Sequence, residues 1–351
     1  MTELLCIGNP IIDVFIKIDD TLARKYGILE PAQHISRDQA EAFLREPSID
    51  FTKAVKSSGG GAANVAKIAA MLGMKAAFSG CVGTYADGSP DDLAVIFEKE
   101  ITGAGVSTFL TKSKEKTGIC FVCSVNGELR IAASPGAALD FTKENIGEEL
   151  ITGMGVVVLD GYVLDRRPLV QHILMTASRR GIPVALDAGS IFQIERKAEE
   201  ILTYSRSFPL FVFMNADEVI TFYNTIRKSR DEETNLSERE KEALISRDIC
   251  PMLKIITDGE IFPIIVVKLG GHGAIVVAGG NVYREETFTI IPRNTVGAGD
   301  AFCAAFLAAW IRDKSLSECA AMGNKVAREI LKVPGTNIKS GKLKSFAKTL
   351  K

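Results

Sequence analysis

Short apolar runs closed by a polar residue recur along this chain, and they constrain its fold more than any other feature. Leu4–Gly8 is the first, and Gly155–Asp160, Ile182–Asp187, Leu210–Asn215 and Pro263–Lys268 follow the same form. Runs this short and this continuously apolar suit strands buried on both faces. Helix-length stretches lie between them, among them Arg166–Arg180 and Ile194–Tyr204. Strand alternating with helix predicts an α/β chain, with a mostly parallel sheet covered by helices on both sides.

Two stretches break the pattern. In 13–58 the run Val14–Ile18 alternates and then gives way to a short helix, with Asp20 as its expected N-cap and Gly27 as its stop. In 106–134 the pattern is hairpin-like: 105–110, then Thr117–Val125, then Asn126-Gly127, then Glu128–Ala132. Asn-Gly between β-like runs is a strong hairpin signal. The two segments are expected to form a small accessory sheet inserted in one domain spanning 1–351, placed as a lid. Segment Arg227–Arg247 carries 12 charged residues in 21 and includes Ser237-Glu-Arg-Glu240, a capping-box pattern that predicts a solvated surface helix.

Composition narrows the function. With 42 Lys plus Arg against 43 Asp plus Glu, the chain lacks the basic excess of a nucleic-acid-binding body. No apolar stretch approaches the roughly 18–20 residues that span a bilayer, and the N-terminus reads as a strand, not a signal peptide. A soluble, cytoplasmic protein with neither a nucleic-acid nor a membrane partner is expected. The seven cysteines read as reduced, mostly buried thiols. Cys120 and Cys123, three apart on a predicted strand, point to opposite faces, and no second Cys or His pair follows at zinc spacing.

Chemistry concentrates at two glycine clusters. In Pro292-Arg-Asn-Thr-Val-Gly-Ala-Gly-Asp300 a small-residue turn runs into the apolar helical stretch Ala301–Ile311. Unpaired N–H groups and the positive end of a helix dipole then meet at one point, where an anion can approach the backbone. Asp300 has two readings there, a helix cap or a carboxylate that accepts a proton beside a phosphate. The second cluster, Ser58-Gly-Gly-Gly-Ala-Ala-Asn64, opens another helix. Neither cluster is a Walker A loop or a full dinucleotide fingerprint. Asn9, Asp13, Asp187 and Asn215-Ala-Asp-Glu218 fall at predicted strand ends, where open parallel sheets bind ligands. Asn215 and Glu218, three apart at a helix start, suit a hydrated Mg²⁺ held through water, while each alone also suits a cap.

These motifs, in this order, resemble the PfkB family of carbohydrate and nucleoside kinases. Gly59–Asn64 is similar to the family's N-terminal signature and Asn294-Thr-Val-Gly-Ala-Gly-Asp300 to its C-terminal one. Asn215-Ala-Asp-Glu218 resembles its Asn-x-x-Glu motif, and Lys268-Leu-Gly-Gly-His-Gly273 its nucleotide-side turn. The opening Gly8–Asp13 is similar to the adenosine kinase branch, whereas Gly61-Ala-Ala63 is closer to sugar and broad nucleoside kinases.

The resemblance implies a ribokinase-like three-layer α/β/α sandwich with a β-sheet lid, and an ATP- and Mg²⁺-dependent kinase acting on a primary hydroxyl of a sugar or ribonucleoside. Asp300 would be the base, and the N–H groups of Gly297, Ala298 and Gly299 would cradle the moving phosphoryl group. Asn9, Asp13, Gly59, Gly60 and Asn64 would bind the acceptor. Asn215, Lys268, Gly270, Gly273, Thr295 and Asn324 would serve the nucleotide, with Mg²⁺ organised by Asn215 and Glu218. Asn294 stands where the family usually has Asp, which leaves K⁺ activation open. A homodimer through the lid is a further implication. The alternatives are an adenosine kinase specifically, or a catalytically silent ligand-binding protein on the same fold. A dinucleotide oxidoreductase is more distant.

Overall fold

The computed structural model describes residues 2–228, 236–258, 263–292, 295–332, 343 and 345–346. In chain order the first half comprises β1 (Leu4–Ile7), β2 (Ile11–Ile18), α1 (Asp20–Lys25), β3 (Ala32–His34), α2 (Arg37–Leu44) and β4 (Val55–Gly59). Next come α3 (Gly61–Met71), β5 (Ala76–Gly83), α4 (Asp92–Gly103), β6 (Ser107–Ser113), β7 (Gly118–Val125) and β8 (Glu128–Ser134). The second half opens with α5 (Glu148–Ile151), β9 (Val156–Asp160), α6 (Arg167–Arg179), β10 (Val184–Asp187), α7 (Ile191–Ser207) and β11 (Leu210–Asn215). It continues through α8 (Ala216–Arg227), α9 (Glu238–Leu244), α10 (Cys250–Thr257) and β12 (Ile264–Lys268). β13 (Ala274–Ala278), β14 (Asn281–Glu285), α11 (Ala298–Trp310) and α12 (Leu316–Ile330) follow.

Among the described residues, nine strands form one sheet in the order β14-β13-β12-β11-β10-β9-β1-β5-β6. Pairing is parallel from β11–β12 through β5–β6 and antiparallel at β12–β13 and β13–β14. Successive residues of β1 feed opposite faces: Leu4 and Cys6 join the core under α3, α11 and α12, while Leu5 and Ile7 join the core under α6, α7 and α8. That period-2 division between two helical layers makes the three-layer α/β/α sandwich, and it explains why the strands read as unbroken apolar runs.

A second sheet of five strands, β3-β8-β7-β2-β4, stands apart as the lid. Its hairpin is β7–β8, turned by Asn126 and Gly127 with φ of 51° and 93°. This left-handed pair is the conformation an Asn-Gly turn favours. Two boundaries differ from expectation. The lid strand β2 begins at Ile11, and β6, expected in the accessory sheet, pairs in parallel with β5 and extends the main sheet. The short run 105–110 lacks a hairpin partner of its own, so the exposed edge of β5 captured it. α1 is capped by Asp19, whose carboxylate accepts from Leu22 N at 2.8 Å, and not by Asp20, which pairs with Arg24 one turn on. Gly27, at φ +67°, ends the helix as expected.

The charged segment is described from Leu236 onward. α9 opens on the expected Ser237–Glu240 capping box and docks on the body through Lys241–Asp217 at 2.8 Å and Glu242–His272 at 3.1 Å. All seven cysteines are free and buried. Among the described residues no helix is long and apolar enough to cross a membrane.

Candidate active site

Sheet register brings the polar strand ends into line. Asp187 is opposite Asp160, and Asn215 is opposite Lys268, at the carboxyl ends of β9 to β12. β1 lies between β9 and β5, where the strand order reverses, and it delivers Gly8 and Asn9 to the same edge. Crevices at such reversals are where open α/β sheets take ligands.

Two helices start at this edge. α3 is entered through Gly60 at φ +93°, and α11 through Gly297 at φ +81°; no side chain caps either one. At Gly60 a Cβ would also overlap the carbonyl of Asn9, so both backbone conformation and space require glycine. The starts face each other. Asn64, in the first turn of α3, donates its Nδ2 to Asp300 Oδ2 at 2.8 Å. A Cβ on Gly61 would sit 3.5 Å from the other carboxylate oxygen of Asp300 and 3.6 Å from Asp160 Cβ. Asp300 therefore does not cap its helix. Its carboxylate turns instead toward the start of α3, where Asn64 holds it.

The electrostatics of Asp300 follow from this setting. Burial first, then the negative charges of Asp187 and Asp160, push its carboxyl up to about 7, against the opposing pull of the Asn64 hydrogen bond and of Lys268. Lys268 Nζ binds Asp187 Oδ2 at 2.8 Å with both side chains largely buried. The same ammonium lies 3.2 Å from where a Cβ on Gly299 would be, so it borders the first turn of α11. Cation, helix start and carboxylate thus share one small volume.

On the lid side, Asp13 of β2 is opposite Ser57 of β4, and its carboxylate fills the space a Cβ on Gly59 would need. Burial raises its carboxyl to about 6, with Lys67 and Cys120 opposing and Glu100 adding to the rise. Asn9 is buried and accepts on its Oδ1 from Arg166 Nη2 at 2.6 Å. The ring of His34, on lid strand β3, lies 5.6 Å from that of Tyr162 on the body.

Asn215 and Glu218 form a reciprocal capping box. Asn215 Oδ1 accepts from Glu218 N at 2.9 Å, and Glu218 Oε2 accepts from Asn215 N at 2.8 Å. One oxygen of each is therefore committed to the backbone, and burial raises the Glu218 carboxyl to about 7. Among the described residues no group of three His, Cys, Asp or Glu stands together as a metal site. This pair fits a cation that keeps its water shell better than one stripped to protein ligands.

The remaining predicted residues lie further out. Gly270 and Gly273 turn the chain between β12 and β13 at φ +56° and +90°, and a Cβ on Gly273 would overlap the Glu285 carbonyl. Asn324, buried on α12, donates to that same carbonyl at 3.3 Å, so turn and helix converge on the end of β14. Thr295 is exposed, and its carbonyl accepts from Ala298 N at 3.4 Å. Asn294, on which the K⁺ question turned, lies outside the described residues.

Four further residues belong to the cleft. Asp160 closes a run of the same form as the one Asp187 closes, a signal that was legible. Lys67 sits three residues after Asn64 in an otherwise apolar helix, which was legible too. Glu100 and Arg166 sit in patterns with no such mark.

A nine-stranded sheet between helical layers, a lid sheet, and a cleft at the strand-order reversal define the ribokinase-like architecture. The adenosine kinase of Sinorhizobium meliloti shares it with a TM-score of 0.79 and 25% identity, over 99% of both chains. A probable sugar kinase of Rhizobium etli CFN 42 shares the fold with a TM-score of 0.81 and 24% identity, again over 99% of both chains. Residues 22–342 match the pfkB family of carbohydrate kinases, and the chain belongs to that family. Kinases of this family use ATP. Adenosine kinase 2 of Arabidopsis thaliana is 26% identical over 350 residues, covering 95% of this chain and 94% of the relative.

Proposed function

We propose that this kinase transfers the terminal phosphoryl group of ATP directly to the primary hydroxyl of a sugar or ribonucleoside, with Asp300 as the base. The carrying observation is the position of Asp300: a carboxylate with a raised pKa, held by Asn64 at 2.8 Å in the first turn of a helix that no side chain caps. In the proposed step the acceptor oxygen bonds to phosphorus as the bond to the ADP oxygen breaks, and the acceptor proton passes to Asp300. No phosphoenzyme forms. Phosphoryl transfer asks for positioning and charge stabilisation more than covalent chemistry, and the cleft's groups suit that demand.

Gly297, Ala298 and Gly299 would present N–H groups to the moving phosphoryl, and Lys268 would add a positive charge beside them. Gly270, Gly273, Thr295 and Asn324 would serve the nucleotide. Asn9, Asp13, Gly59, Gly60 and Asn64 would bind the acceptor. Among the described residues the buried Oδ1 of Asn64 has no hydrogen-bond partner, which supports a role in accepting from a ligand hydroxyl. Mg²⁺ held through water by Asn215 and Glu218 would neutralise charge on the phosphates. The lid would exclude water from the transfer. The adenosine kinases among the relatives support a ribonucleoside acceptor; the small residues Gly61-Ala62-Ala63 support a broader one.

The test is ATP consumption with Mg²⁺ across a panel of sugars and ribonucleosides, with and without K⁺. Turnover with at least one acceptor, lost in Asp300→Asn, is expected. Binding without turnover across the panel would leave the silent ligand-binding reading in its place.

A further inference from the structure

Lys67 is a lysine buried to 7% exposure in a helix whose neighbouring residues are small and apolar, and the proposed reaction assigns it nothing. Burying an ammonium is costly unless partners receive it. Its Nζ donates to the Ser58 carbonyl at 2.5 Å and approaches Ser58 Oγ at 3.0 Å. From the other side Glu100 of α4 accepts the Ser58 backbone N–H at 2.6 Å and Ser57 Oγ at 3.4 Å. Lysine and glutamate thus grip both backbone polar groups of one residue, Ser58, on β4 just before Gly59 and Gly60.

That grip bears on the acceptor side of the cleft. The residue after the clamped serine is Gly59, against which the Asp13 carboxylate rests, and Asp13 is opposite Ser57 in the sheet. Four groups therefore act on one another here: Asp13 from β2, Lys67 from α3, Glu100 from α4 and Cys120 from β7. Lys67 also feels Asp300. An ionised carboxylate accepts hydroxyl hydrogen bonds on both oxygens, whereas the protonated acid turns one of them into a donor, and the single cation in this group is Lys67.

We infer that Lys67 is a positioning residue for the acceptor: it anchors the Ser58–Gly60 backbone and supplies the positive charge that keeps the neighbouring Asp13 ionised. The consequence for binding rests on the reading above, in which Asp13 holds the acceptor's hydroxyls. Its effect on Asp13 does not. Without Lys67 its opposition to burial and to Glu100 is lost, so the Asp13 carboxyl rises further from its value of about 6.

The experiment is a titration of ¹³C-labelled aspartate carboxyls in the ligand-free protein, with Asp13 assigned by Asp13→Asn. Lys67→Met should raise the Asp13 midpoint by about one pH unit, Lys67→Arg should leave it near wild type, and Glu100→Gln should lower it. If Lys67→Met fails to fold, the charge-compensated pair Lys67→Met/Glu100→Gln is compared with Glu100→Gln alone, and the former should titrate higher. A midpoint unmoved by loss of the lysine in either comparison overturns the inference. With adenosine as acceptor, Lys67→Met should raise KM about twofold at pH 7 and roughly eightfold at pH 5.5, with recovery toward pH 8.5 and kcat within about threefold. Mere misplacement of the backbone would give no such recovery. If Asp13→Asn leaves KM unchanged across the acceptor panel, the binding role of Asp13 fails, while the carboxyl titration still decides the role of Lys67.

Discussion

The amide of Asn64 donates to the carboxylate of Asp300 at 2.8 Å across 236 positions of sequence, joining the first turns of α3 and α11. Two glycine-led helix starts, one from each half of the chain, are locked face to face by this bond. It also favours the charged form of Asp300 against burial, which favours the neutral one. Asn64→Ala should therefore move the acidic limb of kcat/KM upward from about 7, by roughly one unit, when turnover is measured between pH 5.5 and 9. A limb that stays in place would mean that some other group titrates in the rate.

With Asp300 as the proposed base, Asp300→Asn should lower kcat about 10³-fold while leaving acceptor affinity within a few-fold, because the proposed proton removal would be lost and ground-state contacts would not. Steady-state turnover and isothermal titration with the best acceptor of the panel measure the two quantities.

The same substitution should stabilise the protein at high pH. The carboxyl titrates at about 7 in the fold against 3.8 ordinarily, so the folded chain holds this proton more tightly than the unfolded one. Its contribution to stability is full below pH 3.8 and lost as pH rises through about 7. Asp300→Asn should accordingly melt above wild type at pH 8, and the gap should close as the pH falls toward 4. Thermal unfolding across that range reads the difference directly.

Lys268→Met should be costly in two ways. It strands the largely buried Asp187 carboxylate, an effect of about 3–5 kcal/mol for a broken buried pair, and it removes the cation beside the α11 start. Asp187→Asn/Lys268→Met should recover much of the stability and little of the turnover. Urea unfolding and kcat, taken together, separate the two effects.

Gly60→Ala should destabilise by about 1–3 kcal/mol, since φ +93° with ψ 131° is strained for any residue with a Cβ, and the added methyl meets the Asn9 carbonyl. The strain falls beside the residues proposed to bind the acceptor, so KM for the acceptor should rise as well. Denaturant midpoints and acceptor titrations check both.

Much of the architecture was legible in one dimension because its determinants are local. Apolar runs of strand length, Asn126-Gly127 and Ser237–Glu240 each act through their own neighbours, and each forms the element expected of it. The misassigned pieces are those whose partners are remote. β6 could join either sheet by its pattern, and only the open edge of β5 settled the choice. Asp19 and Asp20 both suit a cap; the winner depended on Arg24 and Arg130 drawing Asp20 into ion pairs.

The chemistry divides in the same way. The order of residues alone determined which groups could take part: the glycine turns, the strand-end carboxylates and the lone acid at the start of the α11 helix. Three-dimensional packing decided what they are to one another. It turned Asp300 from a possible cap into a carboxylate facing α3, bound Lys268 to Asp187, and buried Lys67 against Ser58. Dielectric burial and charge proximity depend on distances between strands and helices far apart in the chain, and no spacing along a sequence encodes them.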